Sequence, residues 1–215
     1  MNEKMDQDLD YLFHQWKQSY GKQAIDFSAD GIIDEDAWNT TTLKTLFLMK
    51  ETNDFRGDLR IFVQDNPWEV VGQWAYGLKN SSHAKYPLFN EAQDSTNYRD
   101  GCISSAIVNL KKLTGEGTAN MAKVEEAALR DADFIREEIE IMDPDVVVCC
   151  GSGVFNIARK IIPGLSDSVA VDPDGKCFQH GKTVWINHCH PSARYGRYMM
   201  YYTLMVIYQN YLQHS

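Results

Sequence analysis

The sequence predicts an α/β protein, a three-layer α/β/α sandwich around a central four-stranded parallel sheet. Three observations carry this expectation. Short apolar runs that stop abruptly at polar residues occur four times, at 46–49, 103–110, 145–150 and 183–187, as buried parallel strands do. Between them lie segments whose apolar residues recur at offsets of three and four, the helical period. Strand and helix alternate along the chain, so each crossover lays a helix on one face or the other.

Taken in order, residues 6–22 predict a helix, with Leu9, Leu12, Phe13, Trp16 and Tyr20 on one side and Gly21 ending it. DGIIDEDAWNT reads as a loop and a short helix. The first strand follows in TLKTLFLMKETND. Residues 67–78 form a helix with Trp68, Val71, Trp74 and Ala75 aligned. Residues 79–99 are polar and broken by Pro87, so they read as a long loop. The second strand ends in Asn-Leu-Lys-Lys. After the turn LTGEGTAN, one long helix spans 121–142 and stops at Asp143-Pro144. DVVVCC is the third strand. It runs into Gly-Ser-Gly and a helix at 154–162. The fourth strand leads to INHCHPSARYG, and a Met- and Tyr-rich core helix covers 196–213.

With 215 residues, 44% of them hydrophobic and 24% charged, the chain reads as one domain over 1–215. Residues 1–40 are expected to be an N-terminal helical extension packed on it. No apolar run approaches the ~20 residues of a membrane span, and the first residues are acidic where a signal peptide is basic. The five cysteines are odd in number and include no CxxC pair. That speaks against a disulfide framework, a zinc ribbon or an iron–sulfur cluster. The expectation is a cytoplasmic protein with no cofactor, no metal and no membrane partner. A net charge of -9 argues against holding nucleic acid by bulk charge. Yet no Asp or Glu follows Asp174, whereas Lys176, Lys182, Arg194 and Arg197 do. That run is either a solvated surface or a basic edge beside a site for an anion.

In open parallel sheets, ligands bind outside the carboxyl ends of the strands. Lys50, Glu51, Thr52, Asn53 and Asp54 stand at the first end, and Asn109 at the second. Gly151-Ser152-Gly153 stands at the third, and His188, His190, Ser192 and Arg194 at the fourth. Carboxylates, an amide, a glycine turn and imidazoles in one pocket would make an active site. Each also has a plainer reading as a cap, a turn or a surface charge. A metal-dependent hydrolase using His188, His190 and Glu51 or Asp54 is a further alternative.

These motifs resemble the uracil-DNA glycosylase superfamily. HPSAR is similar to its second active-site motif, AIVNL to the strand ending in its pyrimidine-reading Asn, and PDVVVCCGSG to its third strand and glycine turn. LFLMKETND occupies the place of its first motif, without the usual Gly and Pro. The resemblance spans about 170 residues, from the first strand to the end of the sequence, counted along it. It implies a uracil-DNA glycosylase-like fold and a hydrolase that cleaves the N-glycosidic bond of uracil or a related deaminated base in DNA. An ungapped match puts Glu51 at the catalytic Asp and Asp54 at a second motif residue; a shift of two puts Asn53 there. One of these three would orient water or stabilise the sugar cation. His190 would meet the charge on the departing base, and Asn109 would read its edge. Phe55 is the nearest aromatic for stacking, with Trp74 and Tyr76 as alternatives. Arg194 and Tyr195 would serve the intercalating loop, and Ser192, Gly151 and Ser152 the phosphates. DNA carrying a damaged base is then the partner of a monomeric protein. The alternative is an altered or inactive member of the fold that binds nucleic acid, a base or a protein without cleavage.

Overall fold

A computed structural model describes residues 3–115 and 117–214. Alternate residues of each central strand point to opposite faces, and here both sets are apolar. Leu46, Leu48, Ala106, Val108, Leu110, Val147, Cys149 and Trp185 join one buried cluster. Phe47, Met49, Ile107, Val146, Val148, Cys150, Val184 and Ile186 join the other. A strand buried on both faces must carry a continuous apolar run, which is why the runs are visible in the sequence.

The first helix, α1 (Glu3–Tyr20), packs against a later helix on the first face. A 3₁₀ turn follows at Gly21–Asp26, then β1 (Ser28–Ala29), β2 (Gly31–Ile32) and α2 (Glu35–Thr40). Asp34 caps α2 by accepting the Ala37 N–H. Next come β3 (Thr45–Asn53), β4 (Gly57–Asp58), α3 (Leu59–Asp65) and α4 (Glu69–Lys79). The middle of the chain contributes α5 (Phe89–Ala92), α6 (Ser95–Ile103), β5 (Ser105–Gly115), α7 (Met121–Arg130) and α8 (Ala132–Met142). The last third holds β6 (Val146–Cys150), α9 (Val154–Ile161), a 3₁₀ turn at Leu165–Asp167, β7 (Cys177–His180), β8 (Thr183–His188) and α10 (Arg197–His214).

The main sheet has the order β2-β5-β3-β6-β8-β7. β5, β3, β6 and β8 are parallel, and the edges β2 and β7 are antiparallel to their neighbours. The four-stranded parallel sheet expected from sequence is therefore the centre of a six-stranded mixed sheet. Both edges escape a search for apolar runs for a physical reason: β2 is two residues long, and β7 reads Cys-Phe-Gln-His. Helices α1, α7, α8 and α9 supply the first apolar cluster, and α4 and α10 the second. Helices thus cover both faces, an arrangement compatible with three α/β/α layers. Within the expected N-terminal extension, α1 buries Leu9, Phe13 and Trp16 in the first cluster and β2 extends the sheet.

Two further expectations are corrected. The supposed loop at 79–99 contains α5 and most of α6. The contact that holds α6 needs no apolar stripe. A Cβ on Gly72 of α4 would stand 1.9 Å from the Tyr98 carbonyl oxygen, and one on Gly101 would stand 2.3 Å from the Gly72 carbonyl oxygen. The two helices touch backbone to backbone. The single helix expected over 121–142 is broken at Asp131, which ends α7 and begins α8. Its carboxylate leaves the helix pattern to accept the Tyr20 hydroxyl at 2.5 Å and Arg130 at 2.7 Å.

The chain passes from β3 to β5 on one side and from β6 to β8 on the other. The carboxyl ends of β3 and β6 therefore flank a topological switch point, where such sheets form a crevice. No helix among the described residues is long and apolar enough to cross a membrane.

Candidate functional site

A cleft of about 1630 Å³ runs from this switch point across the end of β8 to α10. Lys50 enters it from β3, Gly151 and Ser152 from the turn after β6, and His190 and Ser192 from the segment after β8. Tyr195, Tyr198 and Met199, at and before the start of α10, form one lip.

His190 is held in a defined state. The Ser192 backbone N–H donates to its Nδ1 at 3.1 Å. A neutral ring in that position carries its proton on Nε2. Burial lowers its pKa, and the nearby Lys50 cation lowers it further. The Trp68 ring lies 6.1 Å away, centroid to centroid. His190 is thus a neutral Nε2–H donor on the wall of the cleft.

Lys50 reaches it because Gly151 has no side chain. A Cβ on Gly151 would stand 2.9 Å from Lys50 Cε and 3.4 Å from both Lys50 Nζ and His190 Cβ. The same residue has φ 112, which side chains disfavour. Lys50 forms no ion pair among the described residues. The cleft therefore presents a cation with no ion pair among the described residues and a neutral donor. That set suits a developing or resident negative charge.

His188 differs in kind. It is 7% exposed, packs edge-on against Trp74 at 4.8 Å and lies 3.6 Å from Cys189 Sγ. Burial brings its pKa down to about 4. It is a neutral member of the core edge. Among the described residues, no group of His, Cys, Asp and Glu is arranged to hold a metal ion.

Of the site residues expected from sequence, the cleft gathers His188, His190, Ser192, Tyr195, Gly151 and Ser152. Arg194 is exposed on the turn between two lining residues. The others stand elsewhere. Glu51 pairs with Lys111 on the neighbouring strand, and its side chain is 4% exposed. Lys111 also donates to the Leu113 carbonyl at 2.9 Å. Asn53 is exposed at the end of β3, and Asp54 follows with φ 51. Phe55 packs on Phe62 at 5.1 Å. Asn109 is not at a strand end but within β5, opposite Met49. Its backbone N–H and its Nδ2 donate to the same Asp30 oxygen, at 2.8 and 3.0 Å. The other Asp30 oxygen accepts Lys112, which also donates to Glu138 at 2.8 and 3.0 Å. Asp30, Lys112 and Glu138 are fully buried. β5 continues past Asn109 because both lysines that follow find carboxylates inside the fold.

Sequence reasoning passed over Lys50 and Trp68 as site residues. Strand phase carried no signal that singles out Lys50, since Glu51 continues Phe47 and Met49 as Lys50 continues Leu46 and Leu48. Trp68 carried none, since it arrives from a helix start more than a hundred residues from His190 in sequence.

Compared with known proteins, the chain matches no protein-family model and no curated sequence.

Proposed function

We propose that the protein is a DNA glycosylase-like hydrolase that cleaves the N-glycosidic bond of uracil or a related deaminated base, on a uracil-DNA glycosylase-like fold. The reading rests on one observation above the rest: a neutral His190, fixed as the Nε2–H tautomer, at the switch-point cleft beside Lys50. Breaking the bond leaves the electron pair on the base. A donor and a cation already in place lower the energy of that anion without reorganising at the moment of reaction. A flipped nucleotide would reach the cleft at a cost of a few kcal/mol, smallest for a damaged or unpaired base. Glu51 remains the nearest carboxylate in sequence to Lys50, and it would act on water by exchanging Lys111. DNA as partner, a monomeric state and a cytoplasmic setting belong to this proposal.

One observation favours a second reading. Glu51 is held by Lys111 and Asn109 by Asp30, so the acid and the amide that cleavage calls for are both engaged. The fold would then bind nucleic acid, a base or a protein without cutting. Labelled oligonucleotides carrying one uracil, hypoxanthine or xanthine separate the two. Abasic product from the wild type, lost in His190→Ala and Glu51→Ala, supports the hydrolase. Absence of product from every substrate at high protein concentration refutes it in favour of the binding module.

A further inference from the structure

We propose that the α10 lip of the cleft is a binding track for single-stranded DNA, with unstacked bases on Tyr195 and Tyr198 and phosphates against Lys176 and Arg194. The inference rests on the DNA reading of the cleft and adds strand preference to it.

Large exposed apolar side chains are concentrated here. Tyr195 is 61% exposed, Tyr198 63%, Met199 53% and Val206 41%, and all four line the same cleft. A contiguous patch of this kind marks a binding surface. Tyr198 is braced for the purpose. Phe89 meets its ring edge-on at 5.8 Å and Tyr202 at 4.6 Å. Tyr202 is itself fixed, its hydroxyl accepting the Phe89 N–H at 2.9 Å. An aromatic face ordered before binding loses little entropy when a base settles on it.

The charge around the patch fits a polyanion although the chain as a whole carries -9. Lys176 and Arg194 are exposed and form no ion pair among the described residues, whereas Arg197 is committed to Glu69. Asp174 is the sole carboxylate among the residues that line the cleft. A duplex offers phosphates and base edges but hides its base faces. Aromatic platforms therefore reward a single strand, by about 1–3 kcal/mol per stacked base. With Lys176 and Arg194 to meet phosphates, the salt dependence must be shallow. Two contacts give a log–log slope of about -1.4 on single strands.

The test is fluorescence anisotropy of the full chain with oligothymidylate of about 15 nucleotides, and with a duplex of the same length. Neither contains uracil, so binding is read apart from cleavage. The single strand is expected to bind at least about tenfold tighter. Tyr198→Ala and Tyr195→Ala should each weaken it about 5- to 150-fold, and Tyr198→Phe should restore it. Lys176→Gln with Arg194→Gln should bring the slope close to zero. Tyr195 lies in an exposed turn, so its variant keeps the test open if Tyr198→Ala does not fold. Equal or tighter duplex binding, binding indifferent to Tyr195→Ala, or no binding of either probe overturns the track. Tight single-strand binding without abasic product from uracil substrates would refute the hydrolase and leave the track standing.

Discussion

Acid should weaken this fold through His188 in an amount the structure sets. The imidazole is buried against Trp74 and its pKa falls from 6.5 to about 4. The unfolded chain, with the ordinary value, takes up the proton first. Between these two values the unfolded state binds more protons, so stability falls as pH falls from about 6.5 to about 4. The full loss is about 3 kcal/mol at 1.36 kcal/mol per pKa unit, and about 2 kcal/mol of it is reached by pH 5. Above pH 7 the group contributes no pH dependence. Urea unfolding of the wild type and of His188→Phe at pH 7.5 and pH 5 isolates the term, because other groups titrate alike in both proteins. The wild type should lose about 2 kcal/mol more than the variant. Equal losses would show that His188 is charged in the fold, or solvated, and would refute the reasoning.

Other expectations follow from the same geometry. Lys112→Met leaves Asp30 and Glu138 buried without their cation and should cost about 3–5 kcal/mol in urea unfolding. Gly72→Ala drives a methyl into the Tyr98 carbonyl; a cost of about 3 kcal/mol should lower the melting temperature by roughly 6–12 °C. Nitrogen NMR of labelled protein at pH 7 should show His190 neutral with its proton on Nε2, and an Nδ1–H signal would remove the donor from the cleft.

How far the sequence disclosed this architecture depended on what each residue faces. The four central strands were legible because burial on both sides leaves no room for polar residues, and their order of appearance located the cleft at their ends. The edges β2 and β7 were not, since an edge strand has no such requirement. Helix α6 was hidden because Gly72 and Gly101 do the work that an apolar stripe does elsewhere. At the site, His190 and the Gly151 turn could be read from strand ends alone. Glu51 and Lys50 could not be told apart that way. They are adjacent, and the register of β3 against β5 turns Glu51 toward Lys111 and leaves Lys50 to the cleft. Asn109 was drawn into a structural bond by Asp30, 79 residues away, a pairing that no local pattern encodes.

The central claim is that His190 meets the negative charge on a departing base. The most direct test is the rate of abasic-site formation from single-stranded oligonucleotides carrying uracil or 5-fluorouracil, for wild type and His190→Ala. Fluorine makes the base a better leaving group, so the donor matters less. His190→Ala should slow uracil release by about 10²–10³ and 5-fluorouracil release by clearly less. An equal loss on both bases, or no product from either with the wild type, would contradict the claim.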